Sequence, residues 1–229
     1  MTEEKQRMGT AMPRPSDSSG KVITDHQDAD TSERAMIWLK WIEKLAKRLP
    51  PLYVATDKER MPSEAWTEWA SYIAIDHGID HHKVKETFAE GRGLTIVGEP
   101  GSGKTRLAVL LAAAAATFDS VWPKFLSAGQ LRSAAFASFE AADQLLKTYG
   151  KGKLLIIDDL GKGAPSNQAD ELLFQLLENR GNGMRSTIIT TQYSQKLLTA
   201  RFNDEQTAKG VLRRIGPDFN RAIALKPNK

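Results

Sequence analysis

Gly98-Glu99-Pro100-Gly101-Ser102-Gly103-Lys104-Thr105 is the stretch on which the fold turns. It fits the pattern G-x-x-x-x-G-K-[ST] and lies between a short apolar run, residues 94–97, and an Ala-rich helical segment, residues 104–117. Glycines at these positions let the backbone wrap so that successive N–H groups point inward at anionic oxygens. The helix that starts at Lys104 adds the positive end of its dipole. In that setting Lys104 reaches the β- and γ-phosphates of a nucleotide, and the Thr105 hydroxyl is placed for Mg²⁺. Residues 98–105, with Arg106 on the first helical turn, are therefore the candidate nucleotide-binding residues.

Working outward, Leu154-Leu155-Ile156-Ile157-Asp158-Asp159 is an apolar strand with two acids at its carboxyl end, where open α/β sheets bind ligands. Asp158 is placed to hold Mg²⁺ through a coordinated water, and Asp159 to orient the attacking water. Thr187-Ile188-Ile189-Thr190-Thr191-Gln192 is a third strand, and the Gln192 amide is a candidate partner for the γ-phosphate or the water. Between these lie further expected strands (121–126, interrupted by Pro123, and 221–225) and helices (129–149, 168–180, 194–202 and 205–215). Alternation of apolar strands with helices predicts an α/β domain with a mainly parallel sheet.

The amino-terminal part has another texture. Residues 1–30 are rich in Ser, Asp, Thr, Gly and Pro without apolar periodicity, and read as a disordered tail. Trp38, Trp41, Ile42, Leu45 and Leu49 recur at three- and four-residue steps, predicting a helix that Pro50-Pro51 ends. A second helix is expected over residues 63–75, with Ser63 as N-cap and Trp66 and Trp69 on one side. The predicted organisation is a tail (1–30), a helical partner-docking region (31–90) and an ATPase domain (91–229).

With 229 residues the chain is long enough for one stable core and an appendage. It has no cysteine, which excludes disulfides, thiolate metal sites and cysteine nucleophiles. His77, His81 and His82 near Gly78 read as surface histidines. No apolar run approaches the ~20 residues that cross a bilayer. The polar, mixed-charge amino terminus lacks a secretory signature, so a cytoplasmic protein without a membrane role is expected. The net charge is +4, made up of −2 on residues 1–30, zero on 31–93 and +6 on 94–229, where the positive field favours a polyanion.

Together these residues resemble the DnaC/IstB-like branch of AAA+ ATPases, bacterial and phage helicase loaders and transposon ATPase subunits. The resemblance covers residues 49–226. It rests on Leu49-Pro50-Pro51, the phosphate loop, the paired aspartates of residues 154–161, Glu178-Asn179-Arg180 ahead of residues 186–194, and Val211-Leu212-Arg213-Arg214-Ile215. It implies a P-loop NTPase of the AAA+/ASCE type: a three-layer α/β sandwich around a mainly parallel sheet, with a small helical amino-terminal region. Because only residues 193–229 follow Gln192, it also implies a reduced C-terminal lid. Carried across by position, Arg180 is the arginine finger for a neighbouring subunit, Gln192 replaces the usual Asn of sensor 1, and Arg214 (or, in another register, Arg213) is sensor 2. The cofactors implied are ATP and Mg²⁺.

The function implied is loading a replicative helicase, gripped by residues 32–49, onto single-stranded DNA, with self-association into a ring or spiral. Lys147, Lys151 and Lys153 are candidate phosphate contacts. Asp159, where vigorous motors place Glu, suits slow hydrolysis. The alternatives are a transposition ATPase acting on duplex target DNA with a transposase, and a nucleotide-gated DNA-binding scaffold with negligible turnover. A small-molecule P-loop kinase fits the paired acids and the arginine block less well. Lys104→Ala is expected to weaken nucleotide binding roughly 10- to 100-fold, the worth of a charge-assisted phosphate contact, read by titration with a fluorescent ADP analogue.

Overall fold

The computed structural model describes residues 91–119 and 121–226, together with 43–44, 47, 49–54, 74–75, 78–79 and 88. The expected tail, Trp38, Trp41, Trp66, Trp69 and the histidines His77, His81 and His82 lie outside these residues. So does most of the helix expected over 32–49, of which residues 43 and 44 are helical. The helix expected over 63–75 also lies outside them except for its last two residues, which are a strand instead. In chain order the elements are α1 (Pro51–Val54), β1 (Ala74–Ile75), β2 (Gly78–Ile79), β3 (Gly93–Gly98), α2 (Lys104–Asp119), β4 (Pro123–Ser127), α3 (Ala128–Ala137) and α4 (Phe139–Gly150). They continue with β5 (Leu154–Asp158), α5 (Asn167–Asn182), β6 (Ser186–Thr191), α6 (Gln195–Thr199), α7 (Glu205–Ile215) and β7 (Asn220–Leu225).

β3 to β7 form one all-parallel sheet in the order β4-β5-β6-β3-β7; β1 and β2 make a separate antiparallel pair. Because side chains alternate along a strand, Leu154 and Ile156 enter one core while Leu155 and Ile157 enter the other. Helices therefore cover both faces, and the strands read as unbroken apolar runs. α2 covers one face, with α1 packed on it. It is buried along Leu107–Val109 and again along Leu111–Ala116, so it is enclosed by the sheet on one side and by Leu49, Tyr53 and Phe88 on the other. The second core packs α3, α4, α5 and α7 on the opposite face.

Two expectations are refined. Pro123 opens β4 instead of interrupting it, which is tolerated because β4 is an edge strand. The single helix expected over 129–149 is two helices, because Ser138 is extended (φ −169°) and its hydroxyl caps α4 by accepting from the Ala141 N–H.

Arg180 is corrected outright. Its side chain, 1% exposed, lies at the end of α5. Nε donates to Thr187 Oγ1 at 2.8 Å, Nη1 to the carbonyls of Tyr149 (2.7 Å) and Gly152 (2.8 Å), and Nη2 to that of Ser186. Burial, with Arg185 nearby, lowers its pKa to about 9, so it stays cationic at neutral pH. These contacts lie at the amino-terminal ends of β5 and β6, away from the phosphate loop, and they occupy all three guanidinium nitrogens. The residue is a knot between α4, α5 and β6, not a finger for a neighbour. Arg180→Met should therefore cost at least about 3 kcal/mol in denaturant unfolding, since several buried acceptors lose their donor.

Candidate nucleotide site

The phosphate loop leaves β3, an interior strand between β6 and β7, and turns back into α2. Gly101 and Gly103 carry φ of +83° and +86°, the left-handed region that only glycine enters freely. The Glu99 carbonyl accepts from Ser102 N–H at 3.2 Å and from Lys104 Nζ at 2.7 Å, which holds the ammonium inside the loop. Lys104 is 7% exposed; burial pulls its pKa down, opposed by Asp159 and Asp158. Ser102 Oγ is fully buried and makes no hydrogen bond. Glu99, Pro100 and Gly101 are exposed, and Arg106 is half-buried on the first turn of α2.

The acids stand where β5 ends, beside the loop. Asp158 Oδ1 accepts from Thr105 Oγ1 at 2.8 Å and from Thr190 Oγ1 at 2.6 Å. Thr190 Oγ1 in turn accepts from the Asp159 N–H at 3.0 Å. Burial pushes the Asp158 carboxyl up, and the hydroxyls of Thr190 and Thr105 pull it back. Asp159 has φ +58°, and its Oδ2 is 3.0 Å from Lys162 Nζ, a partner that raises the lysine's pKa.

Lys104, Thr105, Asp158 and Asp159 are thus brought together. The donor set fits a magnesium nucleotide: a buried cation, a loop turned by two left-handed glycines, an unpaired buried hydroxyl, and a hydroxyl in contact with a carboxylate. Thr105 and Asp158 are the residues that would hold Mg²⁺. Among the described residues there is no group of three or more His, Cys, Asp or Glu suited to a metal by itself.

Two expected members stand apart. Gln192 is exposed beyond the end of β6, and its Nε2 donates to Tyr193 Oη at 2.9 Å. Arg214 is on α7, which belongs to the core layer between β6 and β7 and is not a lid helix. It donates to Glu178 Oε1 at 2.9 Å and to the Gly210 carbonyl at 3.0 Å, and lies 4.5 Å from the centre of the Phe174 ring. The next residue's carbonyl accepts from Thr95, the third residue of β3, and the Gly216 carbonyl accepts from the Asn220 N–H that opens β7, so Arg214 lies toward the amino-terminal ends of the strands, away from the phosphate loop. The sensor-2 reading is corrected accordingly. Thr190 was missed; its only sequence signal is a polar pair, Thr190-Thr191, closing an apolar strand.

The parallel sheet with this loop and these acids defines a P-loop ATP-binding protein of the AAA+ type. More particularly, the chain belongs to the family of IstB-like ATP binding proteins, which it matches over residues 76–220. It is 33% identical over 123 residues to a predicted ATP-binding protein of insertion sequence IS232 from Bacillus thuringiensis subsp. berliner, 53% of this chain and 49% of that one. The chain thus spans about half the length of the curated relative it matches. Among solved structures, the DnaC helicase loader is similar at 27% identity and TM-score 0.51, over 63% of this chain and 87% of that one. DnaI shares the fold at TM-score 0.54 and 22% identity, over 64% and 82%.

Two substitutions test the geometry. Asp158→Asn keeps an Oδ1 acceptor for both hydroxyls but removes a charge the fold disfavours. It should raise the melting temperature at neutral pH, with the gain vanishing below pH ~4, where the unfolded carboxyl is also protonated, while abolishing Mg²⁺-dependent turnover. Thr190→Val should raise the Mg²⁺ concentration needed for half-maximal ATPase roughly tenfold, with Thr190→Ser restoring it, as expected for one lost hydrogen bond to a charged group.

Proposed function

We propose that this chain is an ATP-dependent helicase loader that binds ATP with Mg²⁺ and hydrolyses it slowly, delivering a replicative helicase onto single-stranded DNA. The observation that carries the reading is the convergence of Lys104, Thr105, Asp158 and Asp159 at one end of the sheet, in a chain similar to the DnaC loader over 87% of the solved chain of that protein. In this reading Lys104 and the loop amides neutralise the β- and γ-phosphates. Thr105 and Asp158 hold Mg²⁺, and Asp159 orients water for in-line attack. Arg106, on the first turn of α2, is a further nucleotide-binding residue, and Gln192 joins only if it leaves Tyr193.

Exposed aromatics support the DNA partner. Phe139 is 84% exposed and Phe136 57%, at the junction of α3 and α4, with the Arg132 guanidinium 5.5 Å from the Phe136 ring centre. Rings and a cation side by side suit stacked bases and phosphates. With Arg180 in the core and Arg214 on Glu178, the exposed Arg213 is the arginine of these blocks offered to a neighbouring copy in a ring or spiral. Residues 32–49, outside the described region but for their end, are the proposed grip on the helicase; Leu49 itself is buried against α2. No helix among the described residues is long and apolar enough to cross a membrane, and we place the protein in the cytoplasm of a bacterial or phage-infected cell.

The family match and the insertion-sequence relative favour a second reading, a transposition ATPase acting on duplex DNA with a transposase. ATPase assays with single-stranded DNA, duplex DNA and replicative helicase separate the two: stimulation by single strand and helicase is expected, and stimulation by duplex alone favours the rival. Phe139→Ala should weaken oligo(dT) binding roughly 5- to 100-fold, as for one lost base stack. Trp38→Ala with Trp41→Ala should abolish helicase pull-down while leaving ATP binding intact.

A further inference from the structure

The turn that follows the two acids is held more firmly than an exposed loop requires. Asp159, Gly161 and Gly163 all have positive φ (58°, 89° and 101°). The Asp159 carbonyl accepts from Lys162 N–H at 3.0 Å, and the Leu160 carbonyl from Thr191 Oγ1 at 2.8 Å. Leu160 N–H donates to the Thr190 carbonyl at 2.8 Å. Arg201 Nε donates to the Gly161 carbonyl at 3.0 Å and Nη2 to that of Gly163, while Arg132 Nη1 donates to that of Ala164. Arg201 also lies 5.3 Å from the Tyr193 ring centre, and a Cβ on Gly161 would come within 2.9 Å of that ring. Two arginines from outside the turn thus fix its path.

At the tip of this clamped turn is Lys162, its side chain 71% exposed, with its ammonium 3.0 Å from Asp159 Oδ2. An ordinary surface pair spends side-chain and backbone freedom to form. Here the backbone part is already fixed by Arg201, Arg132 and the strand-end threonines. The ammonium therefore occupies a carboxylate oxygen of the acid that a water must approach. We propose that Lys162 is a positioning residue that acts as a brake: by engaging Asp159 Oδ2 it keeps the acid from the lytic water and sets the slow rate of ATP hydrolysis. The brake rests on the ATPase reading above. It adds a lysine whose removal speeds the reaction, whereas loss of any residue that touches the nucleotide slows it.

The test is single-turnover hydrolysis of MgATP by the full chain, with affinity for a fluorescent ADP analogue measured in parallel. Lys162→Gln is expected to raise the hydrolysis rate about two- to fivefold, the kinetic equivalent of one exposed ion pair, with unchanged nucleotide affinity. Lys162→Arg should behave as the wild type. Added KCl should bring the wild-type rate toward that of Lys162→Gln and leave the variant's rate flat, because screening weakens the pair. Combining Lys162→Gln with Asp159→Asn should give the same rate as Asp159→Asn alone. Equal or slower hydrolysis by Lys162→Gln, beside an active wild type, overturns the brake. Absence of hydrolysis in both overturns the ATPase reading and the brake with it.

Discussion

One carboxylate oxygen, Asp158 Oδ1, receives the hydroxyls of Thr105 and Thr190. Thr105 belongs to the helix that follows β3, Asp158 ends β5 and Thr190 lies near the end of β6. Two hydrogen bonds at one atom therefore set the distance between the phosphate loop, the acids and the neighbouring strand. A buried carboxylate is costly unless it is hydrogen-bonded, so the joint is strongly favoured once the strands pair. Thr190 extends it by accepting the Asp159 N–H, which fixes the backbone of the second acid. Everything the site does chemically depends on this convergence.

The convergence in turn depends on a sheet that cannot shift. Both faces of β3, β5 and β6 are covered, so a one-residue slip would exchange the contents of the two cores. At the far end of the sheet Arg180 performs a matching task, closing the carbonyls at the start of β6 and before β5. A buried guanidinium with several carbonyl acceptors and no carboxylate is costly to desolvate, which is why its pKa falls. The apolar sheet thus lies between two polar joints, the site's own at one end and Arg180 at the other.

Most of the fold was legible along the chain. The phosphate loop, the Leu154–Asp158 strand and its acids are local patterns whose residue order dictates their geometry, and the apolar strands announce a sheet covered on both sides. The arginines were not legible. Glu178-Asn179-Arg180 and Arg213-Arg214 carry the same charge whether they face a neighbour, a nucleotide or a core, and only the packing of α5, α7 and β6 decides which. Ser138 is similar: a serine inside an Ala-rich segment continues a helix or caps a new one according to the backbone around it.

What the sequence determined by itself was the chemistry available: glycines that admit a left-handed loop, a lysine and threonine at its end, two acids after an apolar strand, and no thiol anywhere. These follow from covalent structure and local conformational freedom, so neighbours in the chain suffice to specify them. The tertiary structure alone decided which polar groups share an atom or lose their solvent. It gave Thr190 to Asp158, Arg180 to the core, Arg214 to Glu178 and Lys162 to Asp159. Those pairings join residues on different elements, or depend on a turn held by distant arginines. Their energies come from burial and from distance through space, neither of which is written along the chain.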